Sequence, residues 1–410
     1  MRPFFHPIVC LSACALLLGA VDAGATDRFW DGGGGSANNW SNAANWSANS
    51  EPTGSDNAFI GHASYIKNAA VTVNEADEHC RQLSLGHSAG TTGALSMTSG
   101  DLTVHYRLIV GSAGNGSFDQ FAGSVTVSDI FYIASADPGV GSNSIGRYVL
   151  SNATLSINPT FGTIMGNQAR TVARFRQYGG TVSAGEWSIR NNSEADAEYR
   201  GWGTNNLKGD FWLNGRLVAD GVGLESDLVL TNHAILQNSI PNGPGDSNGC
   251  YAVNRGRLVL KPASANANTV YWGDRSTTAL DLVNAVKFIV TGRSGTISFT
   301  GSLYAPDHGS VPACPAGARV VGLWHFNAAG TFTMATNVTF RYDAFRAAEL
   351  GVPETSLKVY RHDGSEWQPL AGSPAATNDR TLTVANLSSF GWFAVADMSR
   401  RKGGTLVMIR

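Results

Sequence analysis

GALSMTSGDLTVHYRLIVG, at residues 93–111, opens the stretch that decides the fold, because the chain then repeats its pattern three times. The second cycle reads GSF (116–118), GSVTV (123–127) and IFYIA (130–134). The third reads GRYVL (146–150), TLSI (154–157) and TIMG (163–166), and the fourth ARF (173–175), GTVSA (180–184) and WSI (187–189). Apolar and small polar residues alternate in each run, which is typical of a β-strand with one buried face.

The spacing of the glycines indicates how these strands stack. Gly93 and Gly116 are 23 residues apart, and Gly116 and Gly146 are 30 apart. A period of 20 to 50 residues with three short strands in each cycle favours a solenoid in which every coil contacts only its neighbours. We therefore predict an all-β protein whose residues 57–302 form a right-handed parallel β-helix.

Composition supports a turn-rich β protein and excludes other classes. Of 410 residues, 48 are glycine, 43% are hydrophobic and only 15% are charged, which does not fit a disordered chain. The formal net charge of −2 provides no field that would attract nucleic acid, so no nucleic-acid partner is expected.

The first 25 residues are predicted to be a signal peptide. A basic start at Arg2 precedes an apolar run, and AGA (23–25) provides small residues for cleavage before Thr26. The alternative is acylation of Cys14 in LSAC (11–14). No later run is long and apolar enough to form a transmembrane helix. We expect a secreted or bacterial cell-surface protein, in which the pairing of Cys80, Cys250 and Cys314 stays open.

The segment 26–56 is rich in tryptophan and is predicted to cap the solenoid. Trp30, Trp40 and Trp46 punctuate turns of glycine and asparagine. Large aromatic side chains can cover the open apolar end of a first coil. The alternative is that these rings are exposed and stack on carbohydrate.

The C-terminal third changes in pattern. Three prolines mark a linker at 303–318, and strands of ordinary length then alternate with irregular turns, which predicts a small antiparallel β-sandwich at 319–397. A short helix over 343–350 is expected to end at Gly351. A basic tail, 398–410, closes the chain.

Several of these motifs resemble those of a large group of exported bacterial surface proteins. The opening WDGGGGSANNWSNAANW (30–46) and the units FDQFAGSVTV (118–127) and FRQYGGTV (175–182) are similar to that group. Its members are repeat-built, of the autotransporter-passenger-like or PEP-CTERM-associated type seen in planctomycetes and their relatives. The tail 398–410 has the basic run of such a sorting signal without its apolar helix. The resemblance implies a surface location and brings no catalytic residues.

Two hypotheses about function remain. The first is a non-catalytic structural or adhesion protein that presents a polar β-helix face. The second is a carbohydrate-active β-helix that binds or cleaves polysaccharide. Whether the chain is an enzyme stays open, and no catalytic residue, metal ligand or cofactor is assigned. For the second hypothesis the candidate binding residues are Trp187, Trp202, Trp212, Asp210 and Asp220, with Asp210 and Asp220 flanking a strand that contains a tryptophan. Extracellular polysaccharide or cell-envelope components are the partners that these hypotheses imply.

Overall fold

Between residues 27 and 259, the described strands pair in parallel and form three rows. A computed structural model describes residues 25–35, 38–134, 143–158, 160, 162–166, 170–189, 196–207, 211–213, 216–221, 227–231, 235–236, 250–274, 280, 282–371 and 380–399. Residues 1–24 of the predicted signal peptide, residues 400–410 of the basic tail, and Asp210 lie outside these ranges.

The chain visits the three rows in turn, and each strand pairs in parallel with a strand of the next cycle. Row one contains Asp27–Phe29, Asn57–Ile60, Gln82–Leu85, Leu108–Val110, Phe131–Ile133, Thr163–Met165, Trp187–Ile189, Phe211–Leu213 and Ile235–Leu236. Row two contains Asn68–Val73, Thr92–Met97, Asn115–Gln120, Ile145–Ser151, the first halves of Val172–Ala184 and Asp196–Leu207, Arg216–Asp220 and Cys250–Arg255. Row three contains Glu78–Cys80, Asp101–Val104, Ser124–Val127, Thr154–Ile157, the second halves of the same two long strands, Asp227–Thr231 and Arg257–Val259.

The regularly spaced glycines of the sequence are register partners in row two. Gly93 pairs with Gly116, and Gly116 with Gly146, in consecutive strands. A Cβ at Gly116 would lie 2.0 Å from the backbone nitrogen of Gly111, and one at Gly146 would lie 2.2 Å from the carbonyl oxygen of Val110. Side chains are therefore excluded where row two passes the ends of the row-one strands, which explains why this position is glycine in three successive strands of row two.

The interior of row two is a column of large side chains. Leu95, Phe118, Tyr148, Phe175 and Tyr199 are neighbours in register, and each is at most 1% exposed. The rings of Tyr148 and Phe175 stack with their centroids 5.4 Å apart and their planes 4° apart. Contacts of this kind add about 0.5–1.5 kcal/mol each to the burial of apolar area.

The repeated Phe-x-Gln unit has a structural role at the corner between rows two and three. The side-chain amides of Gln120 and Gln177 are fully buried and donate to the carbonyl oxygens of Gly123 and Gly180, each at 3.2 Å. Gln120 also accepts a hydrogen bond of 2.6 Å from the hydroxyl of Tyr148. The glutamines thus add a second donor at the corner, since the carbonyl oxygen of Gly123 also accepts the backbone N–H of Thr154 at 3.2 Å, and their own buried amide groups are hydrogen-bonded.

The tryptophans of the predicted cap are buried. Trp30 is 2% exposed, and Trp40 and Trp46 are 0% exposed. Trp46 contacts both other rings edge-on, with centroids 5.1 and 4.9 Å away. These rings have no free face for a sugar, so the alternative of carbohydrate stacking does not fit these three residues. The same segment contributes Asp27–Phe29 to row one and the short 3₁₀ turns Ala43–Asn45 and Ser47–Asn49.

The pairing becomes antiparallel after row three. One sheet contains Ala263–Ala265, Ser294–Tyr304, Arg319–Thr331, Trp392–Asp397, Lys358–His362 and Trp367–Pro369, and a second contains Thr269–Trp272, Val286–Thr291, Met334–Arg341 and Thr381–Leu387. The sheets contact each other through aromatic rings: Phe288 stacks on Phe299 at 3.9 Å, and Trp324 contacts Phe340 at 5.2 Å. The helix Ala344–Glu349, predicted at this position, is capped by the carboxylate of Asp343, and a 3₁₀ turn follows at Glu354–Ser356.

The boundary predicted at residue 302 needs correction. Parallel pairing ends at Arg257–Val259, and antiparallel pairing begins at Ala263–Ala265. The strand Ser294–Tyr304 pairs antiparallel with both of these segments and with Arg319–Thr331. Residues 263–304 therefore belong with the C-terminal sheets, and the strand Ser294–Tyr304 extends into the predicted linker. Alternation along one strand does not record the direction of its partner, so the sequence pattern could not reveal this change.

Candidate functional site

Charged and aromatic side chains gather on the outer side of row two, in four successive strands. Side chains at matching register positions form columns that run across these strands. The first column contains Arg147, Arg174, Glu198 and Arg216, and the second contains Val149, Arg176, Arg200 and Val218. A third column, two residues further along the strands, contains Ser151, Tyr178 and Trp202, and Asp220 comes directly after Ala219, the register partner of Gly201. We call this surface the Arg-aromatic face. Residues two apart on a strand point to the same side, and neighbouring strands are about 4.8 Å apart, so these side chains lie within reach of one another.

Glu198 is the centre of the charged part of this face. Its side chain is only 7% exposed and accepts from Nε and Nη2 of Arg200 at 3.0 and 3.1 Å. An Nη1 of Arg176 lies 2.7 Å from the same carboxylate, and Nη1 of Arg216 lies 3.5 Å away. Arg200 also donates to Asp220 at 2.8 Å. One carboxylate therefore joins arginines from three consecutive strands.

Electrostatics at Glu198 reflect this arrangement. Burial by itself acts to raise the pKa of Glu198, but the hydrogen bond from Arg200 and the charges of Arg176, Arg200 and Arg216 outweigh it and hold the pKa below 4.5. The hydrogen bond to Glu198 raises the pKa of Arg200, with burial opposing it and Asp220 adding to it. Glu198 is thus an ionised carboxylate at neutral pH and is not a proton donor.

An aromatic pair lies beside the charged cluster. The rings of Tyr178 and Trp202 are register neighbours, with centroids 5.2 Å apart and planes inclined by 53°. Tyr178 is 38% exposed and Trp202 is half-buried. Two ring surfaces are therefore presented to solvent one strand apart, next to Arg176 and Arg200.

The layer beneath this pair is fixed by buried polar groups. Tyr199 faces inward from the strand that presents Arg200 and Trp202 outward, and its hydroxyl donates to the side chain of Gln177. The side-chain amide of Asn205 donates to the same oxygen of Gln177 at 3.0 Å. Because these three side chains are buried and hydrogen-bonded, the strands under the face are held in one register.

The structure separates the residues predicted from sequence. Trp202 and Asp220 lie together on the Arg-aromatic face, and Asp220 is bonded to Arg200. Trp187 is wrong as a binding residue, because its ring is 0% exposed and packs edge-on against Phe175 at 4.9 Å. Trp212 occupies the row-one register position next to Ser188, and its side chain is outside the described part of the structure. The suggested partnership of Asp210 with Asp220 concerns a residue outside that part as well.

The remaining residues of the face were missed by sequence reasoning, although a signal existed. RFRQY (174–178) and EYRGW (198–202) share a charged residue, an inward aromatic residue, an arginine, a small or amide residue and an outward aromatic residue. Aligning these two segments places Arg174 beside Glu198, Arg176 beside Arg200 and Tyr178 beside Trp202. The acids predicted from the sequence, Asp210 and Asp220, were not matched with the arginines of the neighbouring strands.

The outer side of row three is different in chemistry. Its columns contain Ser124, Thr154 and Thr181 in one case and Thr126, Ser156 and Ser183 in the other, in consecutive register. These side chains are exposed or half-buried hydroxyl groups. In these three strands row three thus presents neutral hydroxyl groups, whereas charged side chains lie elsewhere in the row, at Asp101 beside Ser124 and in the ion pair of Asp227 with Arg257.

A small cavity of about 100 Å³ adjoins the C-terminal end of the face. Arg216 lines it together with Asp343, Phe345 and Glu349 from the helical turn of the C-terminal part, and Tyr304 forms part of its wall. Arg216 therefore contacts Glu198 on the face and also borders this cavity.

Comparison of the chain with protein families, with curated proteins and with solved structures finds no match. In the described residues, no helix has the length and apolar character needed to cross a membrane. Within the same residues, no group of three or more His, Cys, Asp or Glu side chains is placed to hold a metal ion.

Proposed function

We propose that this chain is a non-catalytic secreted or cell-surface protein with a structural or adhesive role, and that its Arg-aromatic face binds polysaccharide. The observation that carries the proposal is the ring pair of Tyr178, which is 38% exposed, and Trp202, which is half-buried, beside the hydrogen-bonded side chains of Arg200 and Asp220.

The chemistry of sugars fits such a surface. The C–H groups on one face of a pyranose ring pack against an aromatic ring, and the hydroxyl groups around its edge hydrogen-bond to planar charged side chains. On this face the ring surfaces and the guanidinium and carboxylate groups belong to the same strands, about two residues apart. A sugar placed on Trp202 would have Arg200 and Asp220 at its edge.

The architecture proposed with this function is a right-handed parallel β-helix followed by a β-sandwich. Its support is that the chain passes through rows one, two and three in turn, with parallel pairing between successive cycles. In such a solenoid the outer surfaces of the rows are long and flat, which suits contact with an extended polymer or with the cell envelope.

A carbohydrate-active enzyme is the second candidate, because Glu198 and Asp220 are two carboxylates beside the aromatic pair. Glycoside hydrolysis uses one carboxylic acid as a proton donor and a second carboxylate as base or nucleophile. Both of these groups bind Arg200, and the pKa of Glu198 is held below its ordinary value although burial acts against this. We therefore favour binding without cleavage. Release of reducing ends from a bound polysaccharide, abolished in Glu198→Gln, would show that the enzyme hypothesis is correct instead.

Binding to immobilised polysaccharides tests the proposal directly. The wild-type protein is expected to bind at least one extracellular polysaccharide of a panel, and Trp202→Ala and Tyr178→Ala should each weaken that binding about tenfold, the loss expected from removing one stacked ring. Tyr65→Ala is the matched control, since Tyr65 is 43% exposed but lies near Phe29 in the first coils. Absence of binding to the whole panel, or equal losses in all three variants, would refute the proposal.

Export is tested separately. If residues 1–25 are a signal peptide, the protein recovered outside the cytoplasm should begin at Thr26 by N-terminal sequencing. A mature protein acylated on Cys14 would instead identify a lipoprotein. A cytoplasmic protein that still begins at Met1 would contradict both forms of export.

A further inference from the structure

We infer that Phe121 belongs to the binding surface of the Arg-aromatic face, and that the ligand is a single extended chain of uncharged pyranose sugars joined through equatorial bonds. The chain lies along the axis of the stack, from Phe121 across Tyr178 to Trp202. This inference rests on the proposed function and adds to it a binding residue, the class of polysaccharide and its direction.

Phe121 extends the third column of the face by one strand. It directly follows Gln120, whose register partner Leu150 directly precedes Ser151. The backbone N–H of Phe121 donates to the carbonyl oxygen of Met97 at 2.8 Å, so the parallel ladder continues past Gln120. Gln120 is fully buried and Phe121 is 52% exposed, as expected for successive residues that point to opposite sides. In four consecutive strands the column therefore contains Phe121, Ser151, Tyr178 and Trp202.

Three of the four positions in this column are aromatic. Among the large apolar side chains of the described residues, Phe121 has the highest exposed fraction, and Tyr178 is also in the exposed class. Single apolar side chains scattered over a surface are ordinary. Rings aligned in one column are not scattered, and an exposed apolar surface with polar side chains around it is typical of a binding site.

The spacing of the rings determines the shape of the ligand. Neighbouring strands are about 4.8 Å apart, so Tyr178 and Trp202 occupy adjacent positions, and Phe121 lies two strands, about 10 Å, from Tyr178. One strand spacing is close to the length that a pyranose adds to an extended chain when both of its linkages are equatorial. The first, third and fourth sugars of such a chain would stack on the three rings, and the second would lie beside the hydroxyl group of Ser151. A chain with axial linkages coils and would leave a straight column.

The tilt of the rings favours a single chain over a crystalline surface. The planes of Tyr178 and Trp202 are inclined by 53°, with their centroids 5.2 Å apart. Two sugars stacked on these rings must therefore be turned relative to each other. A single chain can twist about its linkages to meet both rings, whereas the sugars at the surface of a crystalline polymer lie in one plane.

The charged groups beside the rings favour sugars without charge. Each ring has a charged residue two positions before it in the chain, and each of these residues is already paired with the opposite charge. The pairs are Asp119 with Arg147 at 2.7 Å, Arg176 with Glu198 at 2.7 Å, and Arg200 with Asp220 at 2.8 Å. Carboxylates and guanidinium groups thus both lie along the column. A hydroxyl group can donate to the first and accept from the second, whereas a polymer with charges of one sign would be repelled at some of these positions.

The test uses oligosaccharides of defined length and linkage. The protein is titrated by isothermal titration calorimetry with β-1,4-linked tetrasaccharides of glucose, mannose, xylose and N-acetylglucosamine, with the corresponding disaccharides, and with maltotetraose, whose α-linkage is axial. A disaccharide can cover only adjacent positions, such as Tyr178 and Trp202, whereas a tetrasaccharide also reaches Phe121. We expect at least one β-1,4-linked tetrasaccharide to bind about tenfold more tightly than its disaccharide and than maltotetraose.

Three variants assign this gain to single rings. Phe121→Ala should weaken binding of the tetrasaccharide about tenfold and leave binding of the disaccharide unchanged. Trp202→Ala should weaken binding of both sugars, because both lie over its ring. Tyr65→Ala, which removes an exposed ring from the first coils, should change neither affinity. Circular dichroism of each variant verifies that the strands remain.

The possible failures separate the inference from the proposed function. Equal binding of maltotetraose, equal affinity for the disaccharide and the tetrasaccharide, or wild-type affinity of Phe121→Ala for the tetrasaccharide would overturn the inference and leave the proposed function in place. Binding to none of the four β-1,4-linked tetrasaccharides, combined with binding to a polysaccharide of the panel, would also overturn the inference alone. Failure to bind any polysaccharide would overturn both.

Discussion

Replacing Glu198 by glutamine should expose how the charged face is held together. The substitution keeps the shape of the side chain and removes the charge that is shared by Arg176, Arg200 and Arg216. Glu198 is 7% exposed at its side chain, and Arg176 is 21% exposed. Removing one partner of a buried ionic cluster leaves the other charges uncompensated and costs about 3 kcal/mol. We expect the free energy of unfolding at pH 7 to fall by about that amount.

An exposed ion pair of the same face provides the comparison. Asp119 pairs with Arg147 at 2.7 Å, but the two side chains are 30% and 49% exposed. Water and salt weaken such pairs, so Asp119→Asn should cost at most about 1 kcal/mol. Both variants can be measured by urea unfolding followed through tryptophan fluorescence, with far-ultraviolet circular dichroism to verify that the strands remain.

The dependence on pH gives this prediction its sign. The pKa of Glu198 is lowered in the folded protein, so its contribution to stability is fully present above its ordinary value of 4.5 and is lost as the pH falls through the lowered value. The difference in stability between wild type and Glu198→Gln should therefore shrink when the pH is lowered from 6 toward 3. A Glu198→Gln variant as stable as wild type at pH 7, or a difference that grows on acidification, would refute the reasoning.

Three further predictions concern the fold. Gly116→Ala should prevent folding or lower the free energy of unfolding by several kcal/mol, because its Cβ would lie 2.0 Å from a backbone nitrogen. Ser117→Ala, on the outer side of the same strand, should be nearly neutral. Soluble yield and thermal unfolding would measure both variants. Burial and the neighbouring carboxyl of Glu51 raise the pKa of Glu78 from 4.5 to about 9, so its contribution to stability is fully present below pH 4.5 and is lost as the pH rises from there to 9. Glu78→Gln should lack that decline in thermal melts, and an identical decline in the variant would contradict the assignment. Tyr148→Phe should cost about 1–2 kcal/mol, because it removes the 2.6 Å hydrogen bond to buried Gln120, and a neutral result in urea unfolding would show that this bond is not needed.

The Arg-aromatic face shows what the alternation of residues along a strand can predict and what it cannot. Alternation in RFRQY (174–178) and EYRGW (198–202) predicts correctly which side chains point outward, since successive residues of a strand face opposite sides. It does not state which strands are neighbours. Only the parallel register places Glu198 between Arg174 and Arg216 and brings three arginines to its carboxylate. Residues 18 to 24 positions apart in the chain thereby become direct partners.

The two tryptophans at 187 and 202 illustrate the same limit. Trp187 begins a three-residue strand of row one, where the register partners Phe131, Thr163 and Trp187 all point inward. Trp202 lies on a row-two strand, two residues from Arg200, and points outward. Both residues lie beside glycine and charged residues in the sequence, so their local surroundings do not separate them. Successive side chains of a strand point to opposite sides, so the place of each tryptophan in its strand decides whether its ring is buried or faces outward.

The sequence by itself determined that this is a β protein built of short strands, with glycines at 23- and 30-residue intervals that become register partners in row two. It could do so because strand alternation and the exclusion of a Cβ act locally, on a few neighbouring atoms. The tertiary structure alone decided where parallel pairing gives way to antiparallel pairing, after Val259, and which charged side chains meet around Glu198. Those outcomes depend on contacts between strands that are distant in the chain, and hydrogen-bonding partners of a strand leave no mark in its own pattern of polar and apolar residues.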